Sequence, residues 1–248
     1  MHYLKRKRQG KEGTTAFKID MCKAYDRIEW SFLKSIMFRM GFVVDFVDLI
    51  MLCVSTVTYK ITREGVDVSP IVPSHGLRHG DPLSLYIFIL CAEGLSSLIH
   101  HYEKAGLLHR VRVARGAPCI THLFLADDCF LFFKTSVQKA HLMKSILSKY
   151  GVVSGQKVNY NKSSISFSMN VKDVVVHQIC ELLRVTATVD HGTYLGLPSS
   201  IGRRKLDALR YIKDKVWKRL QGWNQKLLSR EGRRFCSRQL HKQCPIMP

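Results

Sequence analysis

The chain has 248 residues, 39 of them Lys or Arg and 19 Asp or Glu, a formal net charge of +20. That excess favours a polyanion partner, most simply nucleic acid, with a basic membrane-surface protein as the competing reading. A hydrophobic content of 46% allows a sizeable core in one large domain or two small ones. No run approaches about 18 uninterrupted apolar residues, and the basic start has no apolar segment behind it, so neither a membrane-spanning helix nor a signal peptide is expected. None of the eight cysteines forms a C-x-x-C pair, and most lie in apolar runs. Reduced, buried thiols are expected rather than a zinc site.

Residues 1–15 are polar and basic and read as a solvated arm, with a nuclear address as the alternative reading of Lys5 to Lys11. A short strand is predicted over 17–21. The D-x-x-E spacing of Asp26 and Glu29 reads as a capping box for a helix over 30–40, ended by Gly41. A second helix is predicted over 44–54. Alternating residues on either side of 63–65 predict a hairpin. Residues 82–102 form a long apolar helix, with Asp81 as its N-cap and Pro82 in its first turn. Strands follow over 110–114 and 121–133, a helix over 137–151, a strand over 165–168 and a helix over 171–184. The segment at 194–198 reads as a strand ending in a turn, and 205–228 as a basic helix or helix pair. Strands and helices mix without strict alternation, which predicts an α+β fold.

One segment concentrates the chemistry: HLFLADDCFLFF at 122–133. Two apolar runs flank a two-residue break and predict a buried hairpin with Asp127 and Asp128 at its tip. Asp-Asp suits neither the φ > 0 geometry of a tight turn nor a dehydrated setting, because the two carboxylates repel. A divalent cation offsets both costs. Asp20, at the end of the first strand, is a third carboxylate able to converge on the same point, as metal-assisted phosphoryl transfer requires. GLRHGDPLS at 76–84 is a glycine-bearing turn feeding a helix N-terminus, where backbone can approach a phosphate or a base pair.

Five segments in order resemble the reverse transcriptase palm of plant non-LTR (LINE-type) retrotransposons. FKIDMCKAYD at 17–26 resembles that family's first aspartate motif, F-x-[IVL]-D-x-x-x-A-[FY]-D. GLRHGDPLS resembles G-[IL]-R-Q-G-D-P-L-S, and LADD at 125–128 resembles F-A-D-D. GQKVNYNKS at 155–163 resembles G-x-x-[IV]-N-x-x-K-S, and YLGLP at 194–198 resembles the strand that leads into the thumb.

The resemblance implies an antiparallel palm packed on helices, with partial fingers and a truncated helical thumb. It implies a basic fingers remnant at 1–16, a palm at 17–190 with a fingers insertion near 55–75, and a thumb-connecting strand with basic helices at 191–234. Residues 202–238 hold 13 basic and three acidic residues, which suits a duplex backbone. At 235–248 a frameshifted tail is expected, because one permitted codon choice, shifted by a base, spells the apolar helix with which the family continues.

By the same resemblance, Asp20, Asp127 and Asp128 hold two Mg²⁺ ions, with Mn²⁺ as a substitute. The Met21 carbonyl helps hold the ion carrying the triphosphate. Tyr25 lies under the sugar and excludes a ribose 2′-OH. Gly76, Arg78, His79 and Gly80 shape the floor beneath template and incoming base. Lys162 lies near the triphosphate and assists the leaving pyrophosphate. The implied partners are an RNA template, a DNA primer and deoxynucleoside triphosphates, with no membrane. The sequence departs from the family pattern at His79 (Gln in the family), Leu125 (Phe) and Leu85 (Pro). Upstream fingers strands are expected to be missing. Three readings therefore stay open: an active polymerase domain, a nucleic-acid-binding fragment without catalysis, and a decayed product that does not fold alone.

Overall fold

The structure is a computed structural model that describes residues 2–10, 12–63, 66–112, 116–125, 128–188, 193–194, 197–198, 210, 213–214 and 216–218. The chain divides into two compact units, Met1–His191 and Gly192–Pro248. The first runs α1 (His2–Arg6), β1 (Thr14–Asp20), α2 (Trp30–Arg39), α3 (Val44–Ser55), β2 (Tyr59–Arg63), β3 (Val66–Ile71) and α4 (Pro82–Lys104). It continues with β4 (Val111–Arg112), β5 (Cys119–Ile120), β6 (His122–Leu125), β7 (Asp128–Lys134), α5 (Val137–Ser154), β8 (Ser164–Phe167), α6 (Asp173–Leu183) and β9 (Thr186–Ala187). The second unit contains β10 (Thr193–Tyr194) paired with β11 (Leu197–Pro198), and residues 210, 213–214 and 216–218 are helical. The rest of the predicted basic helix at 205–228, and the tail at 235–248, lie outside the described residues.

A five-stranded sheet ordered β6-β7-β1-β8-β9 forms the centre of the first unit. β1 pairs antiparallel with β7 and β8, and only β8 with β9 is parallel. The fold is α+β. Alternation sorts the two faces of the sheet. Phe17 and Ile19 of β1 lie opposite Leu131 and Cys129 of β7, and all four are buried with Leu95 and Ile99 of α4, Met143 and Ile146 of α5, and Ile179 of α6. Full burial of such side chains contributes about 1.5–3 kcal/mol each. The intervening positions, Ala16, Lys18 and Asp20 of β1 and Asp128, Phe130 and Phe132 of β7, belong to the opposite face. A second core joins α2, α3 and α4 through Leu33, Met37, Val47, Ile50 and Cys91.

Several expectations need correction. Helix α2 has Glu29 as its N-cap, in extended backbone and without a side-chain cap bond. Asp26 does not cap; its carboxylate meets His79 instead. The antiparallel pair ends with Leu125 opposite Asp128, so the two-residue connection is 126–127 rather than Asp127–Asp128, and Asp128 is a paired strand residue. The N-terminal arm is partly ordered: α1 buries Leu4, and Lys7 Nζ donates to Thr14 Oγ1 at 3.0 Å. The strand that follows starts at Thr14, three residues before the predicted Phe17.

Of the six described cysteines, Cys91 and Cys129 are buried and Cys53 is exposed, and none of the six is in a disulfide. Burial pushes the Cys91 thiol up to about 12. By length and composition α4 is apolar enough to cross a membrane, with a mean hydropathy of 1.7 over its best window. Counting uninterrupted apolar residues missed this, because single polar residues such as Ser84 and Glu93 break the run. In the fold, Ile87, Phe88, Cys91, Leu95 and Ile99 of this helix are core residues.

His122 ties α4 to the edge strand. Its Nε2 lies 3.1 Å from Ser96 Oγ and its Nδ1 3.0 Å from Thr121 Oγ1, and its ring stands 5.3 Å from that of His100. Burial, then the charge of His100, lowers its pKa. The folded state therefore binds fewer protons than the unfolded state near the ordinary imidazole range, and stability falls as pH falls through that range. Thermal melting from about pH 7.5 down to about pH 5 should show a smaller loss of Tm in His122→Gln than in the parent chain. Leu131→Ala, at a fully buried site, should cost about 2–5 kcal/mol in denaturant unfolding.

Candidate active site

Asp20 is the last residue of β1, and its Cα partner across the sheet is Asp128, the first residue of β7. Directly opposite positions of an antiparallel pair share one face. The two positions thus stand opposite one another by strand register, on the face away from the α4–α5–α6 layer. Asp127 lies outside the described residues.

The other edge of β1 holds Asp20 as firmly. Asn159 N donates to Asp20 O at 2.8 Å, and Cys22 N donates to Lys157 O at 2.8 Å, around an isolated bridge between Met21 and Val158. Asp20 N donates to Ser163 Oγ at 3.1 Å. Ser163 is buried and its hydroxyl donates to Asn159 O at 2.7 Å, which fixes the turn. Lys162 sits on that turn, its own N–H directed to Asn159 O at 3.2 Å, and its side chain is exposed. The segment 155–163 is thus bonded to the end of β1, with the exposed Lys162 on its turn.

Residues 22–29 form no regular element. They hang between two glycine-bearing segments. On one side Gln156 Nε2 donates to Ala24 O at 2.7 Å, Arg27 Nε donates to Gly155 O at 3.1 Å, and Glu29 N donates to Ser154 O at 3.0 Å. On the other, Leu77 N donates to Tyr25 O and Gly76 N to Ile28 O, both at 2.8 Å, and Trp30 Nε1 donates to Gly76 O at 2.8 Å. Each net backbone bond of this kind contributes about 1 kcal/mol. Gly155 has φ +78 and Gly76 φ +89; a Cβ would stand 2.2 Å from Arg27 O at the first and 2.7 Å from Asp26 O at the second.

This clamp places Tyr25 on Phe88 of α4, with ring centroids 4.8 Å apart and an interplanar angle of 21°. His79 reaches the same ring at 5.1 Å, and its Nε2 lies 3.2 Å from Asp26 Oδ1. Arg78 and Gly80 are exposed on the same loop. Asp81 caps α4 as expected, its Oδ1 accepting from Leu83 N at 2.9 Å. A cavity of about 260 Å³ opens behind this loop, with Asp26, Tyr59, Arg78, Asp81 and Ser84 in its wall.

The predicted residues therefore fall into two groups: Asp20, Met21, Asp128 and Lys162 around the end of β1, and Tyr25, Gly76, Arg78, His79 and Gly80 around the clamp. The 22–29 segment links them. Sequence reasoning missed Ser163 and Gln156 as supports, although both lie inside the quoted fourth motif. It also missed Trp30 and Phe88, which read as ordinary core residues.

Among the described residues no cluster of three His, Cys, Asp or Glu side chains is positioned to hold a metal ion. Asp20 carries a hard oxygen donor of the kind that Mg²⁺ or Mn²⁺ prefers.

The first unit is thus a mostly antiparallel sheet packed on helices, with Asp20 and Asp128 opposite each other by register. The family model for reverse transcriptase (RNA-dependent DNA polymerase) matches residues 2–199, and the chain belongs to that family. Reverse transcriptase domains depend in general on a divalent metal. An uncharacterized mitochondrial protein of Arabidopsis thaliana is 52% identical over 58 residues, 23% of this chain and 48% of that protein. The chain thus spans about half the length of this curated relative, whose plant source agrees with the plant likeness of the motifs. Among solved structures, the telomerase of Candida tropicalis in complex with a TWJ fragment of telomeric RNA superposes with a TM-score of 0.53 at 14% identity, over 79% of this chain and 30% of that one. That likeness shows a shared fold.

Gly155→Ala and Gly76→Ala should each destabilise the chain by at least about 1–3 kcal/mol, because both the φ value and the facing carbonyl oppose a Cβ. Thermal melting of the two variants checks this.

Proposed function

We propose that this chain is the palm of a LINE-type reverse transcriptase and joins deoxynucleotides to a DNA primer on an RNA template. The observation that carries the reading is the register of β1 against β7, which sets Asp20 opposite Asp128 while the other edge of β1 binds the turn bearing Lys162. In the same reading, residues 17–190 act as the palm, with a fingers insertion near 55–75. Residues 191–234 act as the thumb connection and basic helices.

The reaction joins the primer 3′-oxygen to the α-phosphorus of the incoming nucleotide and releases pyrophosphate, so no protein nucleophile is required. Asp20, Asp127 and Asp128 would hold two Mg²⁺ ions. When bound, such ions supply Lewis-acid polarisation and charge neutralisation at the reacting phosphate. The rest belongs to the chain's own residues. The Met21 carbonyl adds an oxygen beside the carboxylates. Lys162, anchored through Ser163 and Asn159, offers charge or a proton to the departing pyrophosphate. Tyr25 and its loop shape the sugar pocket, and Gly76, Arg78, His79 and Gly80 the floor under the base pair. The net charge of +20 supplies the attraction for the primer–template backbone.

Primer extension on an RNA template with Mg²⁺ tests the proposal. Asp20→Asn should lower the rate by about 10²–10³-fold, the scale of losing one preorganised electrostatic group, with no fall in Tm. Lys162→Ala should lower it by about tenfold or more. Salt-sensitive duplex binding without extension in the parent chain would replace this reading with that of a binding fragment.

A further inference from the structure

His79 stands where the resembled motif has glutamine, and the structure gives its ring work that a glutamine cannot do. Tyr25 has two described ring neighbours. Phe88 is buried in α4 and stacks on it at 4.8 Å, a fixed wall. His79 meets it at 5.1 Å and 46°, from an exposed loop. An exposed imidazole on a loop is ordinarily free to turn. This one is tethered by Asp26, whose Oδ1 lies 3.2 Å from its Nε2. Asp26 directly follows Tyr25 in the chain, so the tether and the ring it aims at move as one piece. The backbone bond from Leu77 N to Tyr25 O, at 2.8 Å, joins the two loops beneath them.

We infer that His79 is a positioning residue for Tyr25: held by Asp26, its imidazole fixes the orientation of the Tyr25 ring against Phe88. Resting on the polymerase reading, this orientation sets how strictly the sugar 2′ position is screened. Glutamine at 79 keeps a hydrogen-bonding group for Asp26 but brings no ring. Phenylalanine brings the ring without the tether.

The test uses the full chain with ¹³C-labelled tyrosine rings, the Tyr25 signals being assigned by their loss in Tyr25→Phe. His79→Ala should move those signals, His79→Phe should return them most of the way, and His79→Gln should not. With primer–template and Ca²⁺, so that binding is read without turnover, the preference for dATP over ATP should fall by about threefold to tenfold in His79→Ala and recover in His79→Phe. Tyr25 signals unmoved in His79→Ala overturn the inference. So does full restoration by His79→Gln, which would show that the polar contact with Asp26 alone matters. A shifted signal with unchanged nucleotide preference overturns the specificity role. A parent chain that binds neither nucleotide and extends no primer sinks the polymerase reading and the sugar screen together, while the ring signals still decide the His79 contact.

Discussion

The register between β1 and β7 is the constraint on which the site depends. Seven consecutive residues of β1, from Thr14 to Asp20, pair with Lys134 back to Asp128. Phe17, Ile19, Leu131 and Phe133 fix that pairing, because each is fully buried on the helix side. A slip by one residue would turn all of them to the other face and bring charged neighbours into the core. The same parity that buries them leaves Asp20 and Asp128 on the opposite face, at the end of both strands. Hydrophobic burial thereby sets two aspartate positions opposite one another.

Around that pair the molecule combines hydrogen bonds to the backbone with burial of Ala24 and Ile28 in the second core. The 22–29 segment has no helix or strand of its own, yet the 154–156 and 76–77 segments both donate to or accept from it. Two glycines allow the approach, since both adopt positive φ with a carbonyl where a side chain would begin. The result is a loop that holds Tyr25 against α4 while remaining continuous with the strand that ends in Asp20. Stiffness at the end of β1 and exposure at Lys162, Arg78 and His79 then coexist, as a surface that orients a large polyanionic substrate requires.

Much of this was legible in the linear chain. The two apolar runs of 122–133 around their two-residue break announced the hairpin, and the run 82–102 announced the core helix, because apolar runs are a local property. The five motifs announced the family, which the match over residues 2–199 bears out. The errors have physical causes. Asp26 has the spacing of a capping residue but serves His79, because that partner comes from a loop about fifty residues away. The hairpin turn falls one residue earlier than its charge pattern suggested, because pairing with β1 draws Asp128 into the strand. Cys53 lies in an apolar run yet is exposed, because α3 is apolar on more than the face it buries.

The sequence by itself determined the composition of the core, the identity of the elements, the family and the carboxylates available for chemistry, since each follows from residue type and short-range spacing. Tertiary structure alone decided which aspartate stands opposite Asp20, that Ser163 and Gln156 hold the strand and loop in place, and that His79 meets Tyr25. These are contacts between segments far apart in the chain. Their geometry follows from strand register and loop closure, which no local pattern encodes.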